Sequence, residues 1–580
     1  MTDFTKDKEK LAQATQGGEN ERAEIVVVHL PQGTSFLTSL NPEGNLLEES
    51  MCPDELKRDH EGFQAILKEK GCRVYMPYNV LSEASPAERE VLMDQAMASL
   101  KYEFHPSGAR ITSKMKYCVS DEYKRKVLSA LSNRNLVDVI LSEPVIHLIP
   151  GVRNTALVTK SVEIHDSNNM VFMRDQQITT RRGVVMGQFQ APQRRREQVF
   201  ALIFWKRLGV RVVGDCREGG PHCMLEGGDF IPASPGLAMM GVGLRSTYVG
   251  ARYLMSKDLL GTRRFAVVKD CFDQHQDRMH LDCTCSIIHD KLVVLDEYIC
   301  SGMGLRYVDE WIDIGAEAAK KAKSSAVICG TYALVKANVE FQQWLDENGY
   351  TIIRIPHEYQ LAYGCNNLNL GNNCVLSVHQ PTIDFIKASP TYISYCKSHN
   401  LLNGLDLVYV PFRGITRMYG SLHCASQVVY RTPAIPATVK ACEQEGDGLV
   451  AIYEKNGEPV DAAGRKFDCV LYIPSTVDDL VDSLGISLGD DVAPSREIIA
   501  DVHKLYQKLI SEGRVPYITW RMPSMPVVSL KGAARAGSLK AILDKIPQLP
   551  SFTPKVVDGA PIAYTRYLGL EQADICVDIS

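Results

Sequence analysis

The chain has 580 residues, 23% of them charged and 45% hydrophobic, with a formal net charge of −5. That length exceeds what one hydrophobic core serves, so two or more domains are expected, and the mild acidity argues against nucleic acid or an anionic membrane as partner and for a small molecule. Seventeen cysteines without regular spacing, behind an N-terminus with no apolar leader, point to reduced thiols in a cytoplasmic protein rather than a disulfide framework.

In chain order, residues 1–22 read as a polar, solvated tail, and AEIVVVHLP (23–31) as the first strand. A helical insertion follows at about 85–136. There Ser85-Pro86-Ala87-Glu88 has the form of a capping box, Leu92, Ala96 and Leu100 repeat at helical spacing, and Tyr123, Val127 and Leu131 mark a second helix. From 137 to 432 the short apolar runs VDVILSEP, AVVKDC, KLVVLDE, SAVICG, YTIIRIP, NCVLSV and DLVYVP alternate with single helices, an α/β pattern. Prolines in RTPAIPATVK (431–440) suggest a stiff linker closing a domain over 23–435. Beyond it VAIYE, DCVLYIP and PYITW, with a helical segment at Ser495–His503, predict a smaller α/β domain over 440–580 that carries no chemical motif. No apolar run reaches the about 18 residues needed to cross a bilayer. No exact internal repeat is present, although the strand, turn, strand, helix rhythm suits a divergent propeller-like array.

Four stretches carry candidate chemistry. The first is RMHLDCTCSIIHD (278–290). Read as a strand, it puts His280 and Asp282 on one face and Cys283 and Cys285 on the other, apolar face. A zinc reading would recruit His289 or a cysteine, but Cys-x-Cys is not the usual zinc loop, and a core strand with a satisfied histidine remains the plain alternative. The second is Phe172-Met-Arg-Asp175 with Asn169 upstream, which alone reads as a structural ion pair. It precedes Gln190-Ala-Pro-Gln-Arg-Arg-Arg-Glu197, where Pro192 and Gly209 bracket a helix over 192–208. Three arginines in its first turn oppose the helix dipole unless an anion binds there; a solvated basic face is the alternative. The third is Leu225-Glu-Gly-Gly-Asp229, either a plain hairpin or glycines that let backbone approach a ligand between Glu226 and Asp229. The fourth is Tyr419-Gly-Ser-Leu-His-Cys-Ala425, a loop in which Cys424 could act as nucleophile, or be one more small buried hydrophobe.

Taken together and in order, NNMVFMRD, the Arg-rich helix start, LEGGD, GLRST, HLD and the His423-Cys424 loop resemble the arginine deiminases of the guanidino-group-modifying superfamily, over about 168–424. The C-terminal extension resembles the longer enzymes of some protists. The resemblance implies a five-bladed α/β propeller of ββαβ units (pentein-like), a homo-oligomer (dimer or tetramer), and hydrolysis of L-arginine to L-citrulline and ammonia. It gives Cys424 the nucleophile's role and His280 the general acid and base. Asp175 and Asp282 hold the guanidinium, and Glu226 partners the histidine. Arg194 and Arg245 bind the substrate carboxylate, Asn169 helps place the substrate, and Asp229 completes the motif as a further binding residue. The nucleophile loop departs from the family pattern: Arg417, the candidate for its substrate-binding arginine, is displaced, and Ala425 stands in place of methionine.

The chemistry so implied needs no metal or organic cofactor. A guanidinium is always protonated and its carbon is a poor electrophile, so two carboxylates must clamp it and orient it toward a thiolate. The same carboxylates disfavour the thiolate, which is therefore expected to form mainly with substrate present. An amidinotransferase, a non-catalytic arginine-binding protein and a metallohydrolase are the rival readings.

Overall fold

The computed structural model describes residues 4–31, 35–106, 108–151, 155–165, 167–322, 327–432, 465, 467–473, 496–520, 554–556 and 575–577. Five times among the described residues one unit recurs, in which a central strand runs antiparallel to one neighbour and parallel to another that follows it in the chain; the sheet of Lys101–Phe104, Val145–Pro150 and Leu157–Glu163 pairs likewise but with its parallel strand first. The central strands are Ala23–Val28, Val184–Met186, Leu237–Val242, Leu292–Asp296 and Cys374–Ser377. Their antiparallel neighbours are Ser426–Arg431, Gln177–Thr179, Phe230–Ser234, Cys285–His289 and Leu368–Gly371. Their parallel neighbours are Arg73–Tyr75, Val212–Asp215, Arg264–Asp270, Thr351–Ile355 and Asp406–Tyr409.

A parallel pair needs a crossover, and each unit supplies a helix between its central and parallel strands. These include Pro53–Glu69, Glu197–Leu208, Tyr248–Ser256, Phe341–Glu347 and Gln380–Ala388. The central strands are buried almost throughout, as their unbroken apolar runs require. Arg306–Asp313, Tyr332–Glu340 and Ile328–Cys329 widen the third sheet to six strands. In the first unit the antiparallel strand comes from residues 426–431, so the far end of this region returns to its beginning.

Two expectations are corrected in the helical region. VDVILSEP is not a strand but most of the helix Asn133–Ser142, burying Leu136, Val137, Ile140 and Leu141. Those positions fall on one helical face, a spacing that a run of seven cannot distinguish from a buried strand. In the neighbouring helix Asp121–Ser129 the buried residue is Leu128, and Val127 is exposed. The capping box at Ser85 is realised in full at the start of Pro86–Ser99, with Leu92 and Ala96 buried.

The N-terminal segment is not a solvated tail. Residues Lys8–Gln13 are helical, Leu11 and Ala14 are fully buried, and so is Glu19. Fully buried Arg431 explains the difference, because a guanidinium without water needs protein acceptors. It donates to the Glu19 carboxylate at 3.0 Å and to the carbonyls of Glu19 and Glu21 at 2.7 Å each.

Toward the C-terminus, Cys469–Ile473 and Pro516–Trp520 pair in parallel beside the helix Arg496–Ser511. RTPAIPATVK from Pro433 onward, and VAIYE, lie outside the described residues. Tyr517 is fully buried among side chains of the third sheet. Its hydroxyl donates to Asp309 at 2.6 Å, while Lys269, itself fully buried, donates to Asp309 at 2.7 Å and to the carbonyl of Ile518 at 2.9 Å. A charged pair without solvent is thus closed over by the C-terminal segment.

Candidate active site

In every unit the residues just ahead of the antiparallel strand turn into one buried pocket. Asp175 stands two positions before Gln177, Asn366 two before Leu368 and Cys424 two before Ser426. Glu226 opens the 3-10 turn Gly227–Asp229 ahead of Phe230, and His280 opens the turn Leu281–Cys283 ahead of Cys285. The strand expected from Met279 to Cys285 is therefore a turn, and the strand begins only at Cys285. His280 still lines the pocket, and Asp282 stands against Cys424, which also lines it. Cys285 is core as expected, but the Cys283 thiol leaves the apolar face and lies within hydrogen-bonding range of the Cys424 thiol. That contact, together with burial, holds the Cys283 thiol far above its ordinary pKa.

Glycines make the Gly227–Asp229 turn possible. A Cβ on Gly227 would stand 1.8 Å from the carbonyl of Arg174, and one on Gly228 would stand 2.5 Å from Nδ1 of His280. Neither position has room for a side chain, which explains the Gly-Gly of LEGGD by close approach rather than by hairpin geometry.

The electrostatics follow from burial among opposed charges. His280 Nε2 lies 2.9 Å from Glu226 Oε2, and its Nδ1 lies 4.0 Å from Asp175 Oδ1. Burial opposes charge on the ring, but Asp175, Glu226 and Asp229 outweigh it and raise the imidazole to about 10. Glu226 is pushed up by burial and pulled down further by His280, Arg245 and Arg194, to about 2. The imidazolium–carboxylate pair is thus the resting state at neutral pH. Asp282 is held below its ordinary value because the bond from His423 Nδ1, 2.8 Å long, overcomes its burial. The other ring nitrogen of His423 faces Glu19 at 3.4 Å, so the N-terminal segment supports the site from behind.

Cys424 is buried, with Sγ 3.6 Å from Asp282 Oδ2. Asn366 grips Cys424 twice: its Nδ2 donates to Sγ at 3.1 Å, and its Oδ1 accepts the Cys424 backbone N–H at 3.2 Å. Neither Asn366 nor the bracing role of His423 was expected. No motif marks Asn366, and its one signal is positional, the second residue before an antiparallel strand.

Other expected residues divide. Asn169, Asp175, Arg194, Arg245, His280 and Cys424 all line the pocket. Asn169 Nδ2 donates to the carbonyl of Asn45 at 3.0 Å, and Arg245 donates to Gln276 at 2.8 Å. Arg194 lies in a 3-10 turn, Pro192–Arg194, because the α-helix starts only at Glu197. Its charge conflict is resolved within the protein, through Asp175 at 2.7 Å and both oxygens of Glu197 at 3.0 Å. Burial disfavours the guanidinium's charge, but Glu197 and Asp175 outweigh it. Asp229 is absent from the pocket lining: its Oδ1 accepts the backbone N–H of Leu281 at 3.0 Å, so it shapes the His280 turn, and burial raises it to about 7. Arg417 is also displaced from the lining. It pairs with Glu49 and Glu55 at 3.4 Å each, facing a separate cleft of about 530 Å³.

The pocket is nearly closed, with about 10 Å³ of free volume. Leu46 and Tyr419 in its wall have left-handed backbones, φ 58° and 64°, strain of the kind held where a segment must move. Three buried polar atoms in the lining, Asp175 Oδ1, His280 Nδ1 and Arg245 Nε, have no hydrogen-bond partner. Ligand atoms of His280, Asp282 and Cys283, and of Asp175, Glu226 and His280, lie within 4.8 Å of one another, close enough to hold a metal. Most of these donors are already committed, His280 to Glu226 and Asp282 to His423. His289, recruited by the zinc reading, is elsewhere, bonded to Tyr395 and Asn373.

The profile of the arginine deiminase family matches residues 44–431, most of the chain. The chain belongs to that family. Arginine deiminase of Rhodococcus jostii is 23% identical over 357 residues, covering 58% of this chain and 84% of that protein. Arginine deiminase of Halobacterium salinarum is 23% identical over 356 residues, covering 49% and 69%. Among solved structures, a DDAH from Pseudomonas aeruginosa complexed with citrulline matches at 12% identity and TM-score 0.36, covering 70% of this chain and 99% of that one. An amidinotransferase from Microseira wollei matches at 11% and TM-score 0.38, covering 73% and 98%. In the terms of the family, Cys424, His280 and Asp175 line the pocket, Glu226 and Asp282 touch His280 and Cys424 from outside the lining, and Asp229 and Arg417 also stand outside it.

Proposed function

We propose that the protein is an arginine deiminase, hydrolysing L-arginine to L-citrulline and ammonia through a covalent intermediate on Cys424. The observation that carries this reading is a buried thiol, two carboxylates and an imidazolium–carboxylate pair around a pocket with one unpaired acceptor suited to a guanidinium, Asp175 Oδ1, and one unpaired donor suited to a carboxylate, Arg245 Nε. Asp175 and Asp282 flank the guanidinium and present its carbon to Cys424 Sγ. The thiolate attacks; a C–N bond breaks, and ammonia leaves with the proton that His280 donates. An S-alkylthiouronium remains. Neutral His280 then takes a proton from water, the hydroxide attacks the same carbon, and the C–S bond breaks to release citrulline and regenerate the thiolate.

Arg245, with Arg194 behind Asp175, is the cationic side of the pocket and suits the substrate's carboxylate. Free arginine is then preferred over arginine within a peptide. Entry requires displacement of the Leu46 turn and the Met418–Tyr419 corner, since about 10 Å³ holds no more than a water. The five units with one pairing scheme support reading the fold as a five-bladed propeller with the pocket on its axis. A cytoplasmic homo-oligomer belongs to the same reading. Support for a reducing compartment is that fifteen described cysteines, Cys283 and Cys424 among them, are free thiols.

Incubation of purified protein with L-arginine as sole substrate, following citrulline, tests the proposal. Citrulline and ammonia in equal amounts, abolished in C424A, are expected. Product that forms only when an amine is added would instead establish an amidinotransferase, and normal turnover by C424A would end the covalent mechanism.

A further inference from the structure

A second cluster of ligand-bearing side chains lies away from the pocket, on the sheet formed by Lys101–Phe104, Val145–Pro150 and Leu157–Glu163. Glu103 and His147 are direct partners in the parallel pair of strands, so both side chains leave the same face. His105 follows two positions after Glu103, its backbone N–H on the carbonyl of Leu148 at 2.8 Å, and joins that face.

The distances among the three side chains are those of ligands around one ion. His147 Nδ1 lies 3.1 Å from His105 Nε2 and 3.4 Å from Glu103 Oε2, and all three atoms fall within 4.8 Å of one another. Ligand atoms about 2.0 Å from a tetrahedral ion stand about 3.3 Å apart. On its other side His147 Nε2 lies 2.9 Å from Glu163 Oε1, the place a carboxylate takes behind a metal-bound imidazole.

We propose that Glu103, His105 and His147 form a site for a divalent transition-metal ion of the zinc class, with Glu163 orienting His147 and solvent in the fourth position. It would be structural. The ion would tie two strands whose ligands lie 42 residues apart in sequence, closing the excursion that holds the helices Ser113–Cys118, Asp121–Ser129 and Asn133–Ser142.

The test uses the full-length protein, stripped with a chelator and titrated with Zn²⁺, reading bound metal after desalting and the thermal midpoint. One ion per chain with micromolar affinity or better is expected. The H105A/H147A variant should bind that ion at least a hundredfold more weakly, and E163Q about ten- to a hundredfold more weakly. Stripped wild type and stripped H105A/H147A should melt together, with only the wild type rising on Zn²⁺, and citrulline formation should be the same in both. Because His280, Asp282 and Cys283 are also within ligand distance of one another, C283S is titrated in parallel. An ion that persists in H105A/H147A and departs in C283S overturns the proposal, as does a wild type that takes up no zinc at 0.1 mM, a level set about a hundredfold above the expected affinity.

Discussion

Replacing Gly228 by alanine should disable the proposed acid–base group without touching it chemically. The new Cβ would start 2.8 Å from Cγ of His280 and 2.5 Å from Nδ1. A carbon–carbon contact settles at about 3.5–4.0 Å, so the ring must retreat by about 0.7–1.2 Å. It cannot do so freely, because Nε2 is bonded to Glu226 at 2.9 Å and the whole residue is buried. Misplacement of about 1 Å in a reacting group costs about a hundredfold in rate, so kcat for citrulline should fall about 10²-fold, equivalent to about 2.7 kcal/mol. The control is G227A, whose Cβ would meet the carbonyl of Arg174 at 1.8 Å and should damage the fold itself. In G228A the thermal midpoint and the alkylation of Cys424 by iodoacetamide should stay close to wild type. A folded G228A with kcat within twofold of wild type would refute the claim that His280 must sit where it does. A kcat loss matched by an equally collapsed midpoint would refute the claim that the effect is local.

The pH dependence of stability carries a second prediction, from the Glu226–His280 pair. Glu226 is depressed to about 2, so its contribution is present above about 4.5 and fades as pH falls toward 2; His280 is raised to about 10, so its contribution is full below about 6.5 and fades as pH rises toward 10. Urea denaturation of wild type and E226Q should therefore differ most between pH 4.5 and 6.5, and a gap constant from pH 3 to 10 would count against the pairing. Third, N366A removes the Nδ2 donor from the Cys424 sulfur; loss of a bond to a charged acceptor is worth about 1.5–3 kcal/mol. Its kcat should drop about ten- to a hundredfold, with the alkylation–pH curve of Cys424 displaced to higher pH, and an unmoved curve would leave Asn366 no role at the thiolate. Fourth, Y517F deletes a 2.6 Å bond to buried Asp309, which keeps Lys269 and Tyr248 as partners. It should lose about 1.5 kcal/mol of stability, and Y517A about 3–5 kcal/mol by the added cavity; denaturation midpoints equal to wild type would mean the C-terminal segment is not keyed into this core.

Which parts of this site were legible beforehand follows from how far apart the interacting residues stand. Glu226 and Asp229, or His280 and Asp282, share short motifs, so residue types and spacing expose them even though the predicted strand at 279–285 is a turn. The error was harmless for His280 and Asp282, since residues i and i+2 reach one cluster from either conformation. It was not harmless for Cys283, which a strand sends to the core and the turn sends to Cys424. Arg194 was legible as an anomaly, but its counter-charges, Glu197 and Asp175, were readable only once the helix start had moved to Glu197. The N-terminal segment was illegible for a physical reason. Its charges suggest solvation when taken locally, and the acceptor that buried Arg431 requires is supplied from more than four hundred residues away.

Asn366 shows what kind of reading would have succeeded. Nothing in Tyr363-Gly-Cys-Asn-Asn-Leu-Asn369 announces chemistry, and an asparagine in such a loop is ordinarily a turn residue. Its meaning is set by place. Asp175, Asn366 and Cys424 each stand two residues before an antiparallel strand, and Glu226 and His280 hold the corresponding position with a 3-10 turn inserted. Equivalent backbone positions in repeated units come together whatever side chain they carry, so divergence can place an aspartate, a glutamate, a histidine, an asparagine and a cysteine side by side, which the proposed function reads as clamp, acid partner, base, positioning amide and nucleophile. A repeat search that compares residue identities misses this, because what the five residues share is their place just ahead of an antiparallel strand.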